Sequence, residues 1–281
     1  QNGNWVDWIG GDGMDNAISP INANVAIGTS QYGAIYHTDD GGINVTDLNQ
    51  PAAGNFITPL VMHPNNHDTI YGGWTGIWRS TNGGLSWTNI SAGAISGLIT
   101  ALAVAPSNPK YIYGSIGSVL YRTTNGGLSW TSVTASANIT SIFVSQNNPQ
   151  KIWITCNSST ARVFVSTNMG SNFTDLSNGL PALSARSIVV QNNSLEGVYV
   201  GMNIGVYYRD NNQTSWTMHG SGLPVVSVNE VEIHEASGKL RVATYGRGIW
   251  ESDLQNKIPC SVPVNLTSSI TGPTTVQVKW N

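Results

Sequence analysis

Along most of this chain, hydrophobic and polar residues alternate with a period of two. They do so in short runs rich in Ile, Val, Tyr, Trp and Thr, such as "YIYGSI" from Tyr111 and "VLYRT" from Val119. Alternation of this kind puts every second side chain on one face of a pleated strand. The runs are separated by clusters of Asn, Pro, Gly and Asp, as in "HPNNHD", "APSNPK" and "SQNNPQ". These residues favour turns because they tolerate positive φ, fix φ, or bond their own backbone. The pattern predicts many short strands joined by tight turns, and helix formers are scarce.

The strands recur at a fixed interval. "RSTNGGLSW" from Arg79 returns as "RTTNGGLSW" from Arg122, and alignment on Asn82 adds Asp40, Asn125, Asn168, Asn211 and a decayed copy at Leu254. Successive steps are 42, 43, 43, 43 and 43 residues. The neighbouring strands repeat with them: "GIWRS", "VLYRT", "VFVST", "GVYYR" and "GIWES" precede the turn, and "SWTNI", "SWTSV", "NFTDL" and "SWTMH" follow it. Four short antiparallel strands in about 43 residues make one propeller blade. The expected fold is therefore an all-β propeller with six blades visible, from about residue 16 to residue 254.

The repeated turn has a structural explanation. An Asn or Asp side chain accepts backbone N–H bonds, the glycines supply positive φ, and the aromatic residue after them packs on the blade. Asp40, Asn82, Asn125, Asn168 and Asn211 are the expected acceptors, and Trp87, Trp130, Phe173 and Trp216 the expected packing residues. Asn at most of these positions keeps the acceptor oxygen without a charge, which fits staple better than catalyst.

Composition narrows the function classes. The 281 residues are 40% hydrophobic and 10% charged, with net charge −3, so no basic footprint for nucleic acid is present. No apolar run approaches the roughly 20 residues of a membrane-spanning helix. Two cysteines, Cys156 and Cys260, do not make a disulfide framework or a zinc site of the usual ligand count. Cys156, inside the strand "KIWITC", reads as a small packed hydrophobe. Neither "DDGG" nor "GDGMDN" follows a helix-loop-helix calcium spacing, so no metal or other cofactor is expected.

The turn S/T-x-D/N-x-G-x-x-W/F resembles the Asp-box, or BNR repeat, over nearly all of residues 5–254. That repeat is shared by sialidases, sortilin-type receptors, photosystem-assembly propellers and xyloglucanase-type glycoside hydrolases. "GGDGMDNAISP" and "RVATYGRGIWESDL" look like blades of secreted Bacteroidetes proteins exported by type IX secretion. The tail "IPCSVPVNLTSSITGPTTVQVKWN" resembles the first strands of a fibronectin type III sandwich. The resemblance implies a propeller over 1–256, a linker and fibronectin-like start over 257–281, and a secreted or cell-surface location. It also implies seven or eight blades in the intact ring, with Trp5 on a fourth strand that either complements the last blade or ends a lost preceding one.

Ligand-facing residues are expected on the face opposite the repeated turns, where the loops joining second to third strands gather. Tyr32, Trp74 and Tyr245 are candidate stacking platforms there, and Arg247 a candidate contact for an anionic group. Glycoside hydrolysis generally needs two carboxylates. The acids able to face the axis or its rim are Asp7, Asp12, Asp15, Glu230 and Glu232. Asp12, between glycines, is the best single catalytic candidate, although a turn-forming aspartate is the simpler reading of it. The arginine cluster of a sialidase is not assembled. The expected function is a non-catalytic binding or scaffold module for a polysaccharide or protein ligand, working beside neighbouring domains of its own chain. The alternative is a polysaccharide-degrading hydrolase of the xyloglucanase type.

Overall fold

The computed structural model describes residues 8–255, and the backbone of two further strands at Thr267–Gly272 and Thr275–Lys279. The first blade is built from β1 (Asn16–Ile18), β2 (Ala26–Thr29), β3 (Ile35–Thr38) and β4 (Thr46–Leu48). The second has β5 (Leu60–His63), β6 (Asn66–Trp74), β7 (Gly76–Ser80) and β8 (Thr88–Asn89). The third has β9 (Ala101–Val104), β10 (Ile112–Ile116), β11 (Val119–Thr123) and β12 (Thr131–Thr134). The fourth has β13 (Ile139–Val144), β14 (Ile152–Cys156), β15 (Val163–Ser166) and β16 (Thr174–Asp175). The fifth has β17 (Ala185–Val190), β18 (Val198–Met202), β19 (Gly205–Arg209) and β20 (Thr217–His219). The sixth has β21 (Val228–His234), β22 (Lys239–Thr244) and β23 (Gly248–Asp253).

Each blade is an antiparallel sheet with its strands in chain order, as the period-two runs predict. The first strands stand side by side, β1 on β5, then β9, β13, β17 and β21, which makes the all-β propeller. Six blades are present among the described residues, the number visible in the sequence. The two ends of the blade series approach each other at the inner strands, where Asp15 ahead of blade one interacts electrostatically with Glu230 and Glu232 of blade six.

The core lies in the seams between blades. Ile27, Ile35, Leu60, Ile70 and Trp74 fill the first seam, and Tyr71, Ile77, Leu102 and Ile112 the second. Each fully buried aliphatic side chain of this kind contributes about 1.5–3 kcal/mol. Cys156 is one of them, fully buried between blades three and four, and burial pushes its thiol up to about 12. The expected packed, unreactive cysteine is what that environment produces.

The repeated turn is the same device in four blades. A Ser or Thr hydroxyl at Thr38, Ser80, Thr123 and Ser166 donates to Asp40, Asn82, Asn125 and Asn168 at 2.8–2.9 Å. The same acceptor oxygen receives the N–H of the residue four further on at 2.9–3.0 Å. The hydroxyl in turn accepts a glycine N–H. Hydrogen bonds from Asn44 hold the Asp40 carboxyl below its ordinary range. Gly84 sits at φ +91°, and a Cβ there would meet Leu48 at 2.7 Å, so the turn needs glycine for both conformation and space. The aromatic residue then reaches into the preceding blade: the indole N–H of Trp130 donates to Ile90 O at 2.8 Å and that of Trp216 to Leu176 O at 2.6 Å. Trp87 packs edge-on to Trp74, and Phe173 to Phe164.

Blade five corrects one expectation. Asn211 is not the turn's acceptor; it donates to Glu196, while Asp210 receives Asn212 N at 2.9 Å and the Tyr208 hydroxyl at 2.9 Å. The reason is local, since Arg209 stands where the other turns have a hydroxyl. The expected boundary at residue 257, the linker with Cys260, and Trp5 and Asp7 lie outside the described residues. Downstream, β24 (Thr267–Gly272) and β25 (Thr275–Lys279) pair as an antiparallel hairpin.

If the turn acceptor staples the blade, Asn125→Ala lowers unfolding free energy by about 1–2 kcal/mol, because it leaves the Thr123 hydroxyl and Ser129 N–H unpaired. Asn125→Asp keeps the acceptor oxygen and stays within about 0.5 kcal/mol of wild type. Urea unfolding of the two variants decides, and equal midpoints would remove the staple role.

Candidate functional site

The two faces of the ring are separated by their hydrogen bonds. On one, each repeated turn is tied to the turn between first and second strands of its blade, as in Gly83 N to Asp68 O and Gly126 N to Lys110 O, both at 2.9 Å. On the other, the loops joining second to third strands bond the crossovers between blades. Tyr32 N donates to Phe56 O, Thr75 N to Ala53 O, and Tyr245 N to Ser227 O. This second face carries the exposed aromatic rings Tyr32, Phe56 and Tyr245, whereas the repeated turns of the first face expose Ile43, Leu85 and Leu128. Tyr32 is 63% exposed and Tyr245 77%, and Phe56, Ile57 and Val225 are exposed in the crossovers.

The expected ligand residues divide on this face. Tyr32 holds φ +62°, a left-handed conformation that non-glycine residues seldom adopt, and its ring meets Phe56 edge-on at 5.6 Å. Such strain persists only where surrounding contacts fix it. Tyr245 and Arg247 are exposed in the β22–β23 loop, where Arg247 O accepts the Trp250 indole N–H at 2.9 Å. Trp74 departs from expectation: it is fully buried, donates to Gly33 O at 3.0 Å, and lies over Gly72, where a Cβ would meet its ring at 1.9 Å. It is a core residue supporting the Tyr32 loop, not a platform. Phe56, Ile57 and Val225 were missed because crossover loops differ in length and carry no periodic signal.

The acids converge more than sequence spacing alone revealed. Strand register places Asp15, Pro59, Ala101, Ser141, Ser187 and Glu230 at one level of the six inner strands, at the end nearer the exposed aromatic face. Two of the six are carboxylic acids, and they stand on adjacent blades. Asp15 accepts Leu60 N and Asn16 N, each at 2.8 Å. Poor hydration outweighs those bonds and raises its carboxyl to about 6. Glu230 is exposed at its surface, so it keeps part of its hydration. Desolvation, followed by the charges of Asp15 and Glu232, pushes it up to about 8. Asp12, the single catalytic candidate from sequence, is exposed in the loop ahead of β1, and Asp15 is the acid of that motif bound into the ring. One signal in the sequence marks the site: "NEVEIHE" carries charge where the other inner strands read "TALAVAP", "TSIFVSQ" and "RSIVVQN".

No protein-family model matches the chain, and no curated protein matches it in sequence. Solved structures do match its fold. An ancestral GH74 enzyme superposes with a TM-score of 0.71 at 21% identity, covering 88% of this chain and 37% of the enzyme. The GH74 xyloglucanase of Xanthomonas campestris gives 0.67 at 14% identity, with 87% and 44% covered. YCF48 bound to D1 peptide gives 0.62 at 13% identity, with 84% and 76% covered. The chain thus spans less than half the length of these GH74 structures, and at such identities the likeness establishes the propeller fold.

The raised carboxyls make stability depend on pH in a defined sense. Glu230 and Asp15 bind protons more tightly folded than unfolded, so their contribution is greatest below about pH 4 and is lost as pH rises through about 6 and then 8. Glu230→Gln removes the larger part. Its Tm matches wild type at pH 5 and exceeds it by about 2–4 °C at pH 9, the shift that roughly 1 kcal/mol gives in a domain of this size. Calorimetry at the two pH values checks this, and parallel profiles would show that Glu230 is freely hydrated.

Proposed function

We propose that this chain is the propeller of a secreted or cell-surface protein, and that its aromatic face binds a polysaccharide without cleaving it. The observation that carries the reading is the exposed rim of Tyr32, Phe56, Ile57, Val225 and Tyr245 on the face where Asp15 and Glu230 approach the ends of the inner strands. Sugar rings present apolar C–H faces bordered by hydroxyls. Exposed aromatic rings match the first, and carboxylates accept hydrogen bonds from the second. A concave or rimmed apolar surface with a few convergent polar groups is the usual form of a ligand site. Binding is favoured over cleavage because the Asp15 carboxylate is already engaged by two backbone N–H groups. Secretion rests on the resemblance of the first and last blades to those of secreted proteins, and a following fibronectin-type module on the resemblance of the tail from Ile258.

A second reading is hydrolysis of a glycosidic bond, and one observation favours it. Two neighbouring carboxyls with separated pKa values, about 6 and about 8, suit one ionised base or nucleophile and one proton donor near neutral pH. The comparison with a xyloglucanase makes xyloglucan a suitable probe for both readings.

Xyloglucan and unsubstituted β-glucan are tested for retention in affinity electrophoresis, and for new reducing ends, with wild type, Tyr32→Ala, Tyr245→Ala and Glu230→Gln. The binding reading expects retention by wild type, loss of about tenfold or more in each tyrosine variant, and no new reducing ends. Reducing ends that form with wild type and vanish in Glu230→Gln would replace it with the hydrolase. Retention insensitive to both tyrosines would remove this face from the account.

A further inference from the structure

The chain contains four Asn–Gly steps, beginning at Asn2, Asn82, Asn125 and Asn178. Asn2 lies outside the described residues. This dipeptide is chemically labile. A glycine carries no side chain to hinder its backbone nitrogen, which can swing onto the asparagine Cγ and displace the side-chain amide as ammonia. Two freedoms are needed: a glycine N–H engaged by nothing else, and an amide group able to rotate to meet it.

The repeated turn removes both freedoms. Asn82 Oδ1 accepts the Ser80 hydroxyl and Ser86 N, each at 2.9 Å, while its Nδ2 donates to Ser86 Oγ at 2.9 Å. Asn125 is held in the same way by Thr123 and Ser129. The glycine nitrogens point elsewhere, Gly83 N to Asp68 O and Gly126 N to Lys110 O, both at 2.9 Å. Asn82 and Asn125 are solvent-exposed, yet the electrophile and the nucleophile of each step are both fixed.

Asn178 keeps both freedoms. It follows β16 in a tight turn closed by Leu180 N to Ser177 O at 3.1 Å, with Gly179 at φ +89°. In such a turn the N–H between the two central residues takes no part in the closing bond. Asn178 and Gly179 are both exposed, and among the described residues neither the Asn178 side chain nor Gly179 N makes a hydrogen bond. The next residue, Leu180, is buried beside Trp216 in the seam between blades four and five.

We propose that Asn178 is a modification site of the folded protein, converting spontaneously to aspartate and isoaspartate, and that the repeated turn shields Asn82 and Asn125 from the same reaction. Gly179 N gives its proton to solvent base and bonds Asn178 Cγ. The bond from Cγ to the amide nitrogen breaks, and ammonia leaves with a proton from water. Water then opens the resulting succinimide. Attack at Cγ restores the main chain and leaves aspartate; attack at the backbone carbonyl leaves the chain running through Cγ, as isoaspartate. The net reaction consumes one water and releases one ammonia, without oxidation or reduction. Isoaspartate adds a methylene to the main chain two residues before Leu180, so it loosens that side chain's seat beside Trp216. In the repeated turn it would remove the acceptor side chain altogether, whereas Asp40 shows that ordinary aspartate is accommodated there.

Ageing the full chain in mildly alkaline buffer made with heavy-oxygen water tests this, because the oxygen of the opening water stays in the new carboxyl. Peptide mapping by mass spectrometry should show label entering the Asn178 peptide at least about tenfold faster than the Asn82 and Asn125 peptides. In urea the three rates should fall within about twofold of one another, since the local sequence is then all that differs. Thr123→Val, which takes one hydrogen bond from Asn125, should speed labelling of Asn125 by about threefold or more and leave Asn178 unchanged. Aged wild type should melt about 2–4 °C lower than fresh protein, and Asn178→Asp, which yields far less isoaspartate, should hold its Tm. Equal labelling of the three sites in the folded chain overturns the proposal, as does labelling of Asn178 in urea alone. A difference that persists unchanged in urea overturns the shielding by the turn, and an unshifted Tm after full conversion overturns the link to Leu180.

Discussion

A blade is a sheet with two apolar faces, and neither face can be left to water. Every blade here is stabilised by the one before it and the one after it, and the order of blades around the ring follows from that requirement. Five seams meet it with buried aliphatic and aromatic residues, although the one between blades five and six opens as a cleft lined by Val206, Leu223, Leu240, Val242 and Trp250. The seam between blades six and one meets it differently. Near the axis it is crossed by the charges of Asp15, Glu230 and Glu232, and at its outer half Ile249 is exposed among the described residues. The candidate site arises where this one seam departs from the other five.

The departure has a chemical logic. A carboxylic acid in an inner strand would be costly between two fully apolar faces, since a charge without hydration must be paired or neutralised. The seam tolerates Glu230 because the residue retains accessible surface, and because its proton is held more tightly than in water. Asp15 is accommodated by backbone donors from its own blade and the next. Two acids at one level of the ring thus persist in different states at neutral pH, through different compensations. An arrangement of that kind is rare in packing and common in sites.

Much of this was legible in the sequence, and the illegible part has a physical cause. The 43-residue period, the turn acceptors at Asp40, Asn82, Asn125 and Asn168, and the burial of Cys156 follow from local chemistry that a strand or turn expresses on its own. Asn211 misled because alignment preserved its place after Arg209 had removed the hydroxyl that makes the place useful. Trp74 misled for a different reason. Its position at the end of β6 is on the ligand-facing side, but the adjacent Gly72 leaves a hollow into which the ring folds back. The acids were named individually from sequence, yet their meeting depends on which blade follows which around the ring. No spacing along the chain encodes that distance.

Trp74 also shows how the two faces of the ring depend on each other. Its ring lies against Trp87 of a repeated turn, and its indole N–H holds Gly33 O beside the strained Tyr32. Gly33 admits this contact because a Cβ there would meet the indole nitrogen at 2.4 Å. The residue least available to a ligand is therefore the one that fixes the backbone beneath the most exposed aromatic candidate. The repeated turn and the ligand-facing loop are joined through one buried side chain, so the stiffness of the staple is passed to the loop. A rim built this way holds its aromatic rings in place before a ligand arrives, which lowers the ordering cost of binding.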